Sequence, residues 1–303
     1  MERHITDAYT EYRFGAASDG DQTWYYVPNQ LKYGDHAPVV VFLHGFAALY
    51  PSFYQSHIEH LLAQGNIVIF PQFQKATLTG FLSEAGLGQA ADQNLWARRA
   101  VETTAEALDL LGDAADRDEI YLYGHSLGGL ITLAASQRWR AGAGAGVESP
   151  ASELAGRHSA IRAVVSENHR DPWREYAASI TAPVIILNGD EDIIAPVSQS
   201  EEILSLVTAA PSAVLYVAQR DRYGYPFISP NHGAPLDAIP GLPPHLKVSG
   251  VSAELDVLDW RFYFAGLDAV MDGYRSGLPF DLGNWSNGRP VKPVLERTAL
   301  DQQ

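Results

Sequence analysis

Cysteine is absent from the 303 residues. That removes disulfides, cysteine-ligated zinc and a thiol nucleophile together. It leaves the compartment open, since secreted chains also fold without disulfides. Basic residues are scarce: 21 Lys and Arg stand against 36 Asp and Glu, a formal net charge of -15. A surface of that sign repels phosphate backbones and anionic lipid headgroups, so no nucleic-acid or acidic-membrane partner is expected. No run of about 18 apolar residues occurs, so no segment reads as a membrane span. The opening residues MERHITDAYTEYRFG lack an apolar leader core and read as mature protein. A cytoplasmic location is the simpler expectation; a secreted form with its signal removed is the other. There is no H-E-x-x-H and no phosphate-binding loop, and the Gly-Gly pairs lack a dinucleotide fingerprint. No metal and no cofactor is therefore expected.

What is present is ordinary globular material, 46% hydrophobic and 19% charged. Tyr9 to Phe14 and Thr23 to Val27 flank a polar Ser18-Asp19-Gly20-Asp21 stretch and read as an antiparallel hairpin. Continuous apolar runs follow at Val39 to Leu43, Ile67 to Phe70, Ile120 to Tyr123, Ile161 to Val165, Val184 to Leu187 and Val214 to Val217. Runs without alternation suit strands covered on both faces. Helical patterns lie between them at Ser52 to Ala63, Asp92 to Leu111, Leu127 to Gln137 and Glu201 to Val207, with a last one at Leu255 to Met271. Alternating strands and helices predict an α/β class fold: a doubly wound, mostly parallel central sheet with an N-terminal antiparallel hairpin. Residues 1–278 read as one domain carrying a Gly/Ala-rich insertion near 140–156, and residues 279–303 as a C-terminal surface extension.

The sharpest chemical signal is Gly124-His125-Ser126-Leu127-Gly128-Gly129, a G-x-S-x-G between a strand and a helix. A serine on so tight a turn is pushed out of the sheet, and its flanking positions must be small to let strand and helix close up. A second signal is the strand Val39 to Leu43 ending in His44-Gly45-Phe46. Acyl transfer needs two backbone N–H groups aimed at a developing oxyanion. The expected pair is Leu127, directly after the serine, and Phe46, with His44 orienting that loop. A third signal, Asn188-Gly189-Asp190-Glu191-Asp192, follows a strand and offers a carboxylate to hold a histidine. Asp192 is favoured, with Asp190 as alternative. The base must be a histidine for a serine to act near neutral pH. His232 lies after the acid, giving the order Ser126, Asp192, His232; His245 and His169 are alternatives. His57-x-x-His60 has helical spacing and reads as a solvated face rather than a metal site, and Trp260 to Phe264 reads as core or cleft wall.

On these motifs the chain resembles the α/β-hydrolase superfamily from about Thr23 to Met271. Within it, Gly-His-Ser-Leu-Gly-Gly and Asp192-Ile193-Ile194-Ala195-Pro196-Val197 resemble the cutinase and polyester-hydrolase branch, and more loosely the chlorophyllase-type and dienelactone-type hydrolases. The resemblance implies a serine carboxylesterase (lipase- or cutinase-like) that works through an acyl-enzyme on an uncharged acyl or aryl ester, small or polymeric. It also implies that Trp173, upstream of the acid, lines the acyl site. Amide or carbon–carbon hydrolysis, acyl transfer and perhydrolysis use the same triad and stay open as alternatives. The chain departs from the branch in its 140–156 segment, its long loop before His232 and its C-terminal length.

Overall fold

The computed structural model describes residues 1–84, 93–140, 153–156, 172–237 and 255–298. Three antiparallel strands open the chain: β1 (Glu2–Ile5), β2 (Tyr9–Phe14) and β3 (Thr23–Pro28). Then strands and helices alternate: β4 (Ala37–Leu43), α1 (Gln55–Ala63), β5 (Ile67–Pro71), α2 (Leu78–Glu84), α3 (Gln93–Leu111), β6 (Ala115–Gly124), α4 (Leu127–Arg140), β7 (Glu153–Gly156), α5 (Pro172–Ala177), β8 (Val184–Gly189), α6 (Val197–Leu206) and β9 (Ala213–Ala218). A helix with a π-helical stretch at Asp259–Phe264 continues into α7 (Ala265–Met271), and β10 (Leu295–Thr298) closes the series.

Among the described residues the strands form one sheet in the order β1-β2-β3-β5-β4-β6-β7-β8-β9-β10. The pairs from β5 through β9 are parallel; β1/β2, β2/β3, β3/β5 and β9/β10 are antiparallel. The parallel middle is buried on both faces, which is why its strands are written as unbroken apolar runs. In β4, Val39, Val41 and Leu43 enter a core shared with Trp96 and Ala100 of α3 and Leu130 and Ile131 of α4. The alternate residues Val40 and Phe42 enter a second core with Ile58 and Leu61 of α1 and with Phe262 and Leu267. The alternation is set by the pleat, and it gives the doubly wound α/β architecture expected from the sequence.

β4 is followed by β5 on one side and β6 on the other, so the chain reverses its winding between β4 and β6. A crevice outside the carboxyl ends of the strands opens at such a switch. Leu43 pairs with Gly124, which puts His44-Gly45-Phe46 and His125-Ser126 side by side at the carboxyl end of the two strands.

Several expectations are revised. The expected strand Ile161 to Val165 lies outside the described residues, and the place between β6 and β8 is held by Glu153–Gly156. Part of the segment assigned to an insertion near 140–156 thus belongs to the sheet. Four residues ending in Ala155-Gly156 are too short and too small to signal a strand by periodicity. The tail from 279 is more than a surface wrap: β10 pairs with β9, and Leu282 is buried in the second core. His57 is not solvated. It is buried, its ring stacked 4.2 Å from that of Phe264, while His60 pairs with Asp268 at 2.8 Å. Phe262, Tyr263 and Phe264 are core, whereas Trp260 is half exposed. Among the described residues no helix is long and apolar enough to cross a membrane.

Candidate active site

Ser126 sits on the turn between β6 and α4 with φ of 56°, in the left-handed region that a residue bearing a Cβ seldom occupies. Gly124 and Gly128 make the turn sterically feasible. A Cβ on Gly124 would lie 2.3 Å from the Gly128 carbonyl oxygen, and one on Gly128 would lie 2.0 Å from that of Leu43. Strand, turn and helix therefore approach more closely than any other residue type allows.

The loop after β9 brings His232 to this turn. Its Nε2 is 2.9 Å from Ser126 Oγ, and its Nδ1 is 3.1 and 3.0 Å from Asp192 Oδ1 and Oδ2. An ionised carboxylate only accepts, so Nδ1 carries the proton and Nε2 is left to accept from the serine hydroxyl. All three side chains are buried. Asp192 is braced from its own loop, its Oδ1 accepting the N–H groups of Ile194 at 3.0 Å and Ala195 at 2.8 Å. The loop after β8 and the loop after β9 touch directly. A Cβ on Gly189 would fall 1.8 Å from the Pro230 carbonyl oxygen, so only glycine admits that approach. Between them Ser229 Oγ–H donates to Glu191 at 2.6 Å, and Arg222 donates to the same carboxylate. Burial raises the Glu191 carboxyl, but these two donors and the Arg220 charge outweigh it and hold the group below its usual range.

The three acids of this loop separate in space. Asp192 faces His232, Glu191 ties the two loops, and Asp190 turns outward, accepting the Arg220 N–H at 2.7 Å in an exposed bond. The alternatives His245 and His169 lie outside the described residues. Trp173 lies on α5, and its side chain is also outside the described set.

The loop after β4 is held by His44. Its Nδ1 is 2.8 Å from the Gly45 carbonyl oxygen, which can only accept, so Nδ1 bears the hydrogen and Nε2 faces the Phe73 N–H at 3.5 Å. The ring is buried and stacked on Phe73 at 3.9 Å, and burial pulls its pKa down to about 4, keeping it neutral. The Gly45 carbonyl and the Phe46 N–H belong to one trans peptide and point in opposite directions. Pinning that oxygen, with the Ala48 N–H also donating to it at 3.1 Å, aims the Phe46 N–H the other way. Ala47, at φ of 63°, completes a strained turn, and its N–H donates to Gln74 Oε1 at 3.1 Å. The Gln74 contact has no sequence signal, because an amide side chain in a loop carries no chemistry of its own. Leu127 is the first residue of α4, so its N–H has no intrahelical acceptor. The rings of Phe46 and Phe81 pack at 4.9 Å on the loop side.

Residues 28–141 match the family described as Chlorophyllase. No curated protein is similar enough in sequence to match. Among solved structures, an acylaminoacyl peptidase from Pyrococcus horikoshii superposes with a TM-score of 0.50 at 18% identity, over 70% of this chain and 37% of that one. The chain thus spans well under half the length of that peptidase. A cold-adapted esterase from an Arctic intertidal metagenomic library gives 0.49 at 18% identity, over 72% of this chain and 88% of that one. A dienelactone hydrolase from Anabaena variabilis gives 0.48 at 15% identity, over 70% and 87%.

Proposed function

Taking as premise that this chain is an α/β-hydrolase by fold, with a match to the chlorophyllase family over residues 28–141, we propose that it is a serine carboxylic-ester hydrolase acting through an acyl-enzyme. The observation that carries this reading is the unbroken line from Ser126 Oγ through the His232 ring to Asp192, each contact between 2.9 and 3.1 Å.

Ser126 Oγ attacks the ester carbonyl carbon while His232 Nε2 takes its proton. The carbonyl π electrons move to oxygen, and that oxyanion is received by the N–H groups of Phe46 and Leu127, each worth about 3 kcal/mol to the transition state. Asp192 keeps the ring in the Nδ1–H tautomer and stabilises the imidazolium that forms. Collapse of the intermediate breaks the bond to the alcohol oxygen, which takes the proton from Nε2 and leaves. Water, deprotonated by the same nitrogen, attacks the acyl-serine; the second intermediate releases the acid and restores Ser126. An uncharged acyl or aryl ester, small or polymeric, suits the apolar Phe46 and Phe81 rings beside the oxyanion loop and the formal charge of -15.

The test is Ser126→Ala assayed on a short p-nitrophenyl ester. Activity is expected to fall by at least about a thousandfold with the circular dichroism spectrum unchanged. A fluorophosphonate should label the native protein and spare the variant. Undiminished hydrolysis by the alanine variant refutes the reading. A substrate panel then assigns the leaving group, and it includes chlorophyll because the matched family bears that name.

A further inference from the structure

A buried chain of hydrogen bonds runs behind this site through residues that the mechanism above does not use. Gly45 N–H donates to Tyr54 Oη at 2.8 Å. Tyr54 Oη lies 2.9 Å from His125 Nδ1, and His125 Nε2 lies 3.0 Å from the carbonyl oxygen of His232. Tyr54 and His125 are buried. The two ends impose one direction on the whole chain. The Gly45 amide can only donate and the His232 carbonyl can only accept, so in the neutral ring Nε2 bears the proton and Nδ1 accepts the tyrosine O–H. Tyr54 Oη accepts one bond and donates another, and both nitrogens of the His125 ring have a partner, which is what a buried network needs to be rigid rather than costly.

The line joins three segments that are distant in sequence. Gly45 precedes Phe46, whose N–H is half of the proposed oxyanion pair. His125 precedes Ser126. His232 is the proposed base. The packing is as tight as the bonding: a Cβ on Gly45 would meet His125 Nδ1 at 2.9 Å and the Ser126 Cβ and Tyr54 Oη at 3.2 Å. His44 grips the Gly45 carbonyl and Tyr54 grips the Gly45 N–H, so both peptide groups flanking Gly45 are clamped, from opposite sides. Tyr54 itself lies just before α1, with its ring 4.9 Å from that of Phe42 on β4 and 5.7 Å from that of His125. The Phe42 contact anchors it to the sheet.

We infer that Tyr54, acting through His125, is a positioning residue for the hydrolysis proposed above: it holds the oxyanion loop, the nucleophile turn and the base loop in mutual register. The inference rests on the ester-hydrolase reading. It concerns geometry at the transition state more than substrate affinity, so its loss should appear in kcat and leave KM nearly unchanged.

Tyr54→Phe keeps the ring and removes the hydroxyl. With a short p-nitrophenyl ester, kcat is expected to fall about tenfold, KM to stay within about twofold, and fluorophosphonate labelling of Ser126 to slow by a similar factor. At the other link, His125→Gln retains one acceptor and one donor, whereas His125→Leu retains neither. The glutamine variant should keep at least about fivefold more kcat than the leucine variant at matched thermal stability. That comparison also decides the matter if Tyr54→Phe does not fold. A Tyr54→Phe enzyme with native kcat and labelling rate, or equal kcat for the glutamine and leucine variants, overturns the positioning role alone. Native protein that neither hydrolyses esters nor labels at Ser126 overturns the ester-hydrolase reading, and the positioning role falls with it.

Discussion

Asp190 and Asp192 stand two residues apart on one loop and meet different surroundings. Asp190 accepts a backbone N–H at the exposed rim, while Asp192 is buried against the His232 ring. Asp192→Asn preserves the bonds that Oδ1 accepts from Ile194 and Ala195 but offers an amide donor to a ring nitrogen that already carries a proton. The imidazole is then driven toward the wrong tautomer, and kcat should drop by about 10³ to 10⁴. Asp190→Asn should stay within about twofold, as for other exposed substitutions. Parallel kinetics of the two variants check the assignment; equal losses would refute it. Acid type and loop were legible in the sequence from the strand before Gly189. The selection of one acid among three was less so, because it depends on where the backbone of Pro230 crosses Gly189. Tyr54 was not legible at all. A lone tyrosine ahead of a helix has no spacing that marks it, and its partners are 9 and 71 residues away.

At the scale of elements, the turn between β6 and α4 was the most readable part of the chain. Gly124 and Gly128 are local requirements of a strand closing onto a helix, and local requirements are written in local sequence. Gly128→Ala would place a Cβ 2.0 Å from the Leu43 oxygen, a backbone atom that cannot swing aside. The variant should lose more than about 3 kcal/mol of stability, measured by urea denaturation. A stability equal to the native protein's would contradict the close approach. Elements whose partners are distant were harder to see. β7 has four residues, and β10 reads LERT, too polar to advertise a strand; its pairing with β9 is supplied by the sheet edge it joins. The last helix reads as one apolar pattern from Leu255, yet its middle widens to π-helical geometry while burying Phe262, Tyr263 and Phe264 in succession. Three consecutive buried residues cannot share one α-helical stripe, so packing with the second core decides the geometry there.

Among the described residues, Asp259, His44 and His57 are buried titratable groups that bear on stability between about pH 4 and 8. Burial, with Asp256 and Asp237 nearby, pushes the Asp259 carboxyl up to about 8. Burial pulls His44 down to about 4 and His57 well below its usual value, the latter helped by His60. Between about pH 4 and 8 the unfolded chain holds one proton fewer at Asp259 than the folded one, so this group removes stability as pH rises, at most about 1.4 kcal/mol per pH unit. Each histidine acts in the opposite sense: the unfolded chain is protonated first, so stability is lost as pH falls below about 6.5. From these groups together stability should peak near pH 6.5, with the two histidines dominating on the acid side and Asp259 alone on the alkaline side. Asp259→Asn removes the alkaline limb. Thermal unfolding at pH 5, 6, 7 and 8 should therefore show the variant losing less Tm than the native protein between pH 6.5 and 8. Parallel curves would refute the assignment to Asp259.

The sequence by itself determined the class of fold, the position of the serine turn, the apolar character of the parallel strands and the order in which serine, acid and histidine occur. Each of these is imposed by constraints within a few residues: a steric limit, a pleat, a turn. Tertiary structure alone decided that His57 is enclosed by aromatic rings, that β10 completes the sheet edge, and that a phenol and an imidazole tie the three loops together. Those outcomes depend on contacts between segments up to about two hundred residues apart, such as His60 with Asp268. Contacts of that span leave no periodicity in the chain, because nothing local repeats to announce them.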